Sequence, residues 1–139
     1  MPFKAIKNIN PVMTVPVTTT FTITKGVPVY MASGVATICS TNVCNCLGVA
    51  HETIASGNNG TLKVLPAQGP NGVTMFESTT TAAVADGGKT YLITLATNTA
   101  SIGAANTTVG MFFIVTCDTT NATGYFTGNA FQGALSLTA

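Results

Sequence analysis

The sequence predicts an all-β fold, a small single-domain β-sandwich or β-barrel-like unit carrying an extended N-terminal arm. Three observations predict it. Apolar and polar residues alternate at a period of two, turn residues recur roughly every eight to twelve positions, and helical periodicity is almost absent. The 139 residues suit one domain, and a chain of that size can bury roughly 70% of its unfolded surface. Residues 1–14, with Pro2 and Pro11 and no clean alternation, read as the arm; residues 15–139 read as the β domain.

The elements follow in order. In "VPVTTTFTIT", Val15, Val17, Thr19, Phe21 and Ile23 share one side, while Thr18, Thr20, Thr22 and Thr24 form a threonine ladder on the other. A turn at Lys25-Gly26 leads to "KGVPVYM". Pro28 lacks an amide donor, which makes that strand an edge or leaves Pro28 outside the ladder. "GVATI" is the next strand. "LGVAHETI" and "TLKVL" then read as a hairpin turning at Ser56 to Gly60, because Asn59-Gly60 tolerates the positive φ of a tight turn. "PAQGPNG" reads as a loop, "VTMFE" as a strand, and "STTTAAVADGGK" as a polar connection with room for one short helix. "TYLITLAT" is a strand and "NTASIGAANTT" a loop or weak strand. "VGMFFIVTC" is apolar at both parities, as expected of a central strand covered on both faces. "DTTNATG" turns the chain, and "YFTGNAFQGALSLTA" closes it.

Composition excludes several classes of function. Only 6% of residues are charged, against about 25% in an ordinary soluble domain. Arginine is absent and the five Lys are scattered, so nucleic-acid binding by phosphate neutralisation is not expected. No apolar run approaches the ~20 residues of a membrane helix. "MPFKAIKNIN" places no apolar stretch behind Lys4 and Lys7, so no signal peptide is expected, and synthesis in a cytoplasm is. Thr, Asn, Ser, Ala and Gly replace the missing charge. That composition fits a hydroxyl-rich surface, or one largely covered by partners, since interface cores are depleted in Lys, Glu and Asp.

Candidate chemistry is sparse. Cys39, Cys44, Cys46 and His51 are zinc-type donors, but C-x4-C and C-x-C are not the paired-knuckle spacing of structural zinc, and Cys117 stands far off. No metal or cofactor is expected. Disulfides are the next option, four cysteines allowing three connectivities, but the expected lack of a secretion signal weakens all of them; the cysteines read as free, packed as small hydrophobes. His51 and Glu52, as neighbours on a strand, point to opposite faces, and so do Cys46 and His51, five positions apart. A Cys–His nucleophile would need a bulge or an outside partner. Glu77, Asp86 and Asp118 are isolated beside turns, and "GGK" lacks the phosphate-loop pattern. No catalytic residue is assigned, and the chain reads as not an enzyme. The threonine ladder leaves open a hydroxyl-rich module for ice or glycan surfaces.

Residues 25–127 resemble the small capsid decoration (cement) proteins of tailed bacteriophages. The matching positions are a "GxxV" stretch at Gly26 to Val29, an "hGVA" strand at Leu47 to Ala50, and a "G-x-V-x-V"-type return strand at Gly60 to Val64. "GKTYLITL" and "TVGMFFIVTCDTTNATGYF" resemble the closing strands more loosely; the cysteines and the scarcity of charge depart from the pattern. The resemblance implies a non-enzymatic virion protein on the capsid exterior. It would clamp neighbouring major capsid protein subunits, often as a homotrimer or by self-association, without nucleic acid or membrane. A tail or baseplate β-module is the alternative. Within that reading the arm adds a strand to a neighbour's sheet edge, with Phe3, Ile6, Ile9, Val12 and Val15 as interface residues.

Overall fold

A computed structural model describes residues 3–18, 22–39, 46–55, 59–79, 90–96, 99–105, 112–117 and 121–126. Among these the chain is all-β and contains no helix. The first half contributes β1 (Lys4–Lys7), β2 (Met13–Thr18), β3 (Pro28–Ala32), β4 (Val35–Ile38), β5 (Gly48–Ala50) and β6 (Asn59–Pro66). Then come β7 (Gln68–Gly69), β8 (Gly72–Val73) and β9 (Met75–Thr79). The second half contributes β10 (Thr90–Ala96), β11 (Thr99–Ala105), β12 (Phe112–Cys117) and β13 (Asn121–Phe126).

Two antiparallel sheets result. One has six strands in the order β1-β9-β13-β12-β10-β11, the other five in the order β2-β6-β5-β3-β4, and β7-β8 is a small ribbon. The edges β2 and β4 of the five-stranded sheet touch each other, so that sheet curls toward a barrel. Inside the curl lie Val15, Val17, Ile23, Val29, Ala36, Leu47, Ala50, Ile54, Leu62 and Val64. A second core fills the space under the six-stranded sheet. Phe76, Phe112, Ile114 and Phe126 point down from that sheet, and Val49 and Leu65 meet them from β5 and β6. Alternate residues of β5 and β6 thus serve different cores: Ala50 and Val64 one, Val49 and Leu65 the other.

The N-terminal arm is extended but not free. β1 pairs with β9 (Lys4 opposite Glu77, Ala5 opposite Phe76), and β2 pairs with β6 from Met13 opposite Val64 to Thr18 opposite Asn59. Phe3 donates its backbone N–H to Gly26 O at 3.0 Å. Its ring lies 5.2 Å from that of Phe112 and 4.9 Å from that of Phe126. Apolar side chains at the start of a chain gain by covering an existing core, and tilted aromatic pairs of this kind add about 0.5–1.5 kcal/mol each beyond area burial.

Other expectations are corrected by the ladder. Asn59-Gly60 is not a turn; both residues lie in β6 opposite Thr18 and Val17, so pairing with β2 overrides local turn preference. Pro28 opens an inner strand, since β3 lies between β5 and β4, and the first strand residue tolerates the missing donor. It is Pro16, exposed in the edge strand β2, that takes the edge position. Among the described residues β2 runs to Thr18, and Ile23 bridges Ile54. Phe21 and Thr20 lie outside the described residues, as do the segment expected to hold a helix (80–89) and the closing segment 127–139. Pro66 to Gly72 is no open loop but enters the β7–β8 ribbon. Residues 99–105 form a full strand, and β13 begins at Asn121 inside the expected turn.

β12 is an inner strand, as expected, but it is covered on one face only. Phe112 and Ile114 are fully buried, whereas Phe113 and Val115 are 37% and 38% exposed. Among the described residues, the short β5 is buried on both faces. There Gly48 faces Pro66 so closely that a Cβ would collide with the Leu65 carbonyl oxygen.

Two consequences are measurable by chemical denaturation. Phe3→Ala should cost about 3–5 kcal/mol, the usual range for truncating a buried phenylalanine, and deleting residues 1–13 should abolish cooperative unfolding. Ile6→Ala, at a side chain 40% exposed, should stay within about 0.5 kcal/mol of the parent.

Candidate functional site

The pleat of the six-stranded sheet sends successive side chains to opposite faces. Inward go Phe76, Phe112, Ile114, Ala122 and Phe126; outward, into solvent, go Phe113 and Val115. Phe113 stands opposite the half-buried Tyr125 of β13. Lower on the same pair of strands Thr116 and Thr123 share a hydroxyl–hydroxyl hydrogen bond. β13 can lie this close to β12 because Gly124 has no side chain, and a Cβ there would strike the Phe113 carbonyl oxygen. The outer face is therefore an aromatic and aliphatic strip bordered by hydroxyls, with Glu77 and Lys4 continuing the Thr116–Thr123 row across β9 and β1.

The five interface residues expected from the sequence divide. Phe3 and Val15 are buried, one in each core. Ile6, Ile9 and Val12 are 40%, 51% and 41% exposed. Phe113 and Val115 were not singled out by sequence, although "MFFIVTC" carries the signal: a run apolar at both parities must leave one parity uncovered when only one face is packed.

At the β1 edge of the six-stranded sheet a cleft of about 470 Å³ opens between the two sheets. Phe3 and Phe76 line it from the six-stranded sheet, and Val49 and Leu65 from the five-stranded one. Lys4, Lys25 and His51 also line it. Lys25 is fixed at the mouth by a Gly-bearing turn, in which Val27 N–H donates to Thr24 O at 3.2 Å and Gly26 has φ 94°. The Lys25 N–H itself donates to Thr53 Oγ1 at 3.0 Å. His51 lies just past the end of β5, its N–H donating to Lys63 O at 2.8 Å.

Cys46, His51 and Glu52 do not come together as a reactive group. Glu52 Oε2 accepts the Lys63 backbone N–H at 2.9 Å. Cys46 is fully buried in the inter-sheet core, donating to Gly48 O at 3.3 Å. Burial pushes its thiol up to about 12, with the backbone bonds to Gly48 and Val29 acting weakly the other way. A neutral, enclosed thiol is a poor nucleophile. The reading of all cysteines as free is corrected at Cys39, which is disulfide-bonded, while Cys46 is a free thiol. Among the described residues, no group of three or more His, Cys, Asp or Glu side chains is placed to hold a metal ion.

Because the thiol binds its proton more tightly folded than unfolded, Cys46 contributes stability below pH 9 that is lost as pH climbs toward about 12. Denaturation midpoints taken from pH 8 to 11 should fall less steeply for Cys46→Ala than for the parent. The difference should be at most about 1.4 kcal/mol per pH unit, the slope for one proton. No protein-family model matches the chain, and no curated protein matches it either.

Proposed function

We propose that this protein is a structural component of a virion, binding the outer surface of a phage head and stabilising it by bridging neighbouring major capsid subunits. The observation that carries the reading is the outer face of β12, where Phe113 and Val115 stay more than a third exposed beside the half-buried Tyr125, with no charged residue among the three. A sheet face of this kind gains free energy when a complementary surface covers it, through apolar area removed from water. The scarcity of charge across the chain removes the desolvation penalty that Lys and Glu would bring to such a contact.

Two further features support the same reading. The segments that resemble decoration proteins fall on neighbouring strands: Gly26 to Val29 leads into β3, Leu47 to Ala50 contains β5, and Gly60 to Val64 lies in β6, with β5 between the other two. The disulfide at Cys39 suits the oxidising surroundings met by a particle exterior outside the cell. Binding that needs several shell subunits at once selects the assembled lattice and stabilises it by mass action, and repeated copies add avidity.

The decisive measurement is the copy number of this chain relative to the major shell protein in intact particles. A decoration protein is present at a fixed, high ratio; a few copies per particle would replace this reading by a tail component, and none would remove both. With purified heads, the pair Phe113→Asp and Val115→Asp should weaken occupancy by about 2 kcal/mol or more, as central apolar anchors do, while leaving the circular dichroism spectrum unchanged.

A further inference from the structure

We propose that the inter-sheet cleft is a binding site for an anionic amphiphile, namely a carboxylate head on an unbranched alkyl chain. This site is separate from the outer face of β12. Its volume, about 470 Å³, falls within the roughly 300–1,000 Å³ of small-molecule sites, which join an apolar lining to a few polar groups. The apolar part is Phe3, Val49, Leu65 and Phe76, all members of the inter-sheet core. An alkyl chain entering there extends an apolar core.

The polar part consists of hydrogen-bond donors. Lys4, Lys25 and His51 are three of the six Lys and His residues in the whole chain, and all three line one opening. No carboxylate is found among the described residues lining it. The nearest acid in sequence, Glu52, is turned to the backbone of Lys63. Glu77 stands opposite Lys4 across the β1–β9 pair, which leaves Lys25 and His51 as the principal partners of an anionic head. His51 keeps an N–H donor in either protonation state, and a Lys ammonium gives up to three donors. Charge-assisted bonds of this type are about twice as strong as neutral ones. A cationic or neutral amphiphile would gain only the apolar half.

The test is calorimetric titration of the full chain with decanoate below its micelle-forming range, with decanol and decyltrimethylammonium as comparators. Decanoate should saturate at one per chain and bind about tenfold more tightly than either comparator. Lys25→Gln combined with His51→Gln changes two exposed side chains and should remove that advantage without altering the unfolding midpoint. Ile9→Glu, at an exposed position lining the cleft, should also weaken decanoate by setting a like charge at the mouth. Equal affinity for the three amphiphiles, absence of saturation, or indifference to both variants would each overturn the proposal. No particle enters these measurements, so their failure and that of the shell-binding reading are distinguishable.

Discussion

Gly48–Ala50 is buried on both faces, and the rest of the architecture depends on that fact. A strand with two covered faces must be shared by two cores, so the five-stranded sheet curls around one side of it while the six-stranded sheet covers the other. The close pairing of Gly48 with Pro66 makes the sharing possible, because a side chain at 48 would push β5 and β6 apart at their most crowded point. Once β5 and β6 are committed on both sides, the six-stranded sheet has one face to give. Its outer face then has nothing within the described chain to cover it.

The two sheets are held in place at one end by a buried polar knot. Asn10, only 2% exposed, lies in the connection between β1 and β2. Its Nδ2 donates to Gly72 O and to Thr74 Oγ1, each at 2.9 Å, and its Oδ1 accepts from Asn71 N–H at 2.7 Å. Thr74 in turn donates to Pro66 O at 2.9 Å. An amide buried this deeply is costly unless its donors and acceptors are matched. The matching ties the passage of the chain from one sheet to the other to the β7–β8 ribbon. It also explains why the first residues are part of the fold: β1 and β2 flank the knot, one in each sheet.

Fold class was legible in the sequence because a period of two survives in β2, β6, β12 and β13, where one face meets a core. The paired state of the arm was not legible. Lys4 to Lys7 is a single short strand whose alternation is real but too brief to separate from coil, and its partner β9 is about 70 positions away. Asn59-Gly60 misled for the opposite reason: its turn chemistry is strong locally, and only the distant β2 ladder outweighs it. The return of β3 into β4 was equally hidden. It uses Ser33 and Gly34, both at positive φ (52° and 82°), the geometry of a type I′ turn, and serine gives little warning of that. For the candidate surface, the exposed Ile6, Ile9 and Val12 are separated from the buried Phe3 and Val15 by contacts that no spacing rule contains.

The same constraint produces both functional features. A face without a second layer is an adhesive strip when its outward residues are Phe113 and Val115 rather than charges. A gap between two sheets joined by a polar knot at one end is a cleft where their edges part, and its chemistry is set by whichever side chains ring it. In a chain this poor in charge, a lysine at that opening weighs heavily in the local field, because no ordinary background of surface charges dilutes it. Uncharged surface favours broad contact, and the few cations that remain favour a particular ligand. Both follow from one economy of charge acting on one shared pair of strands.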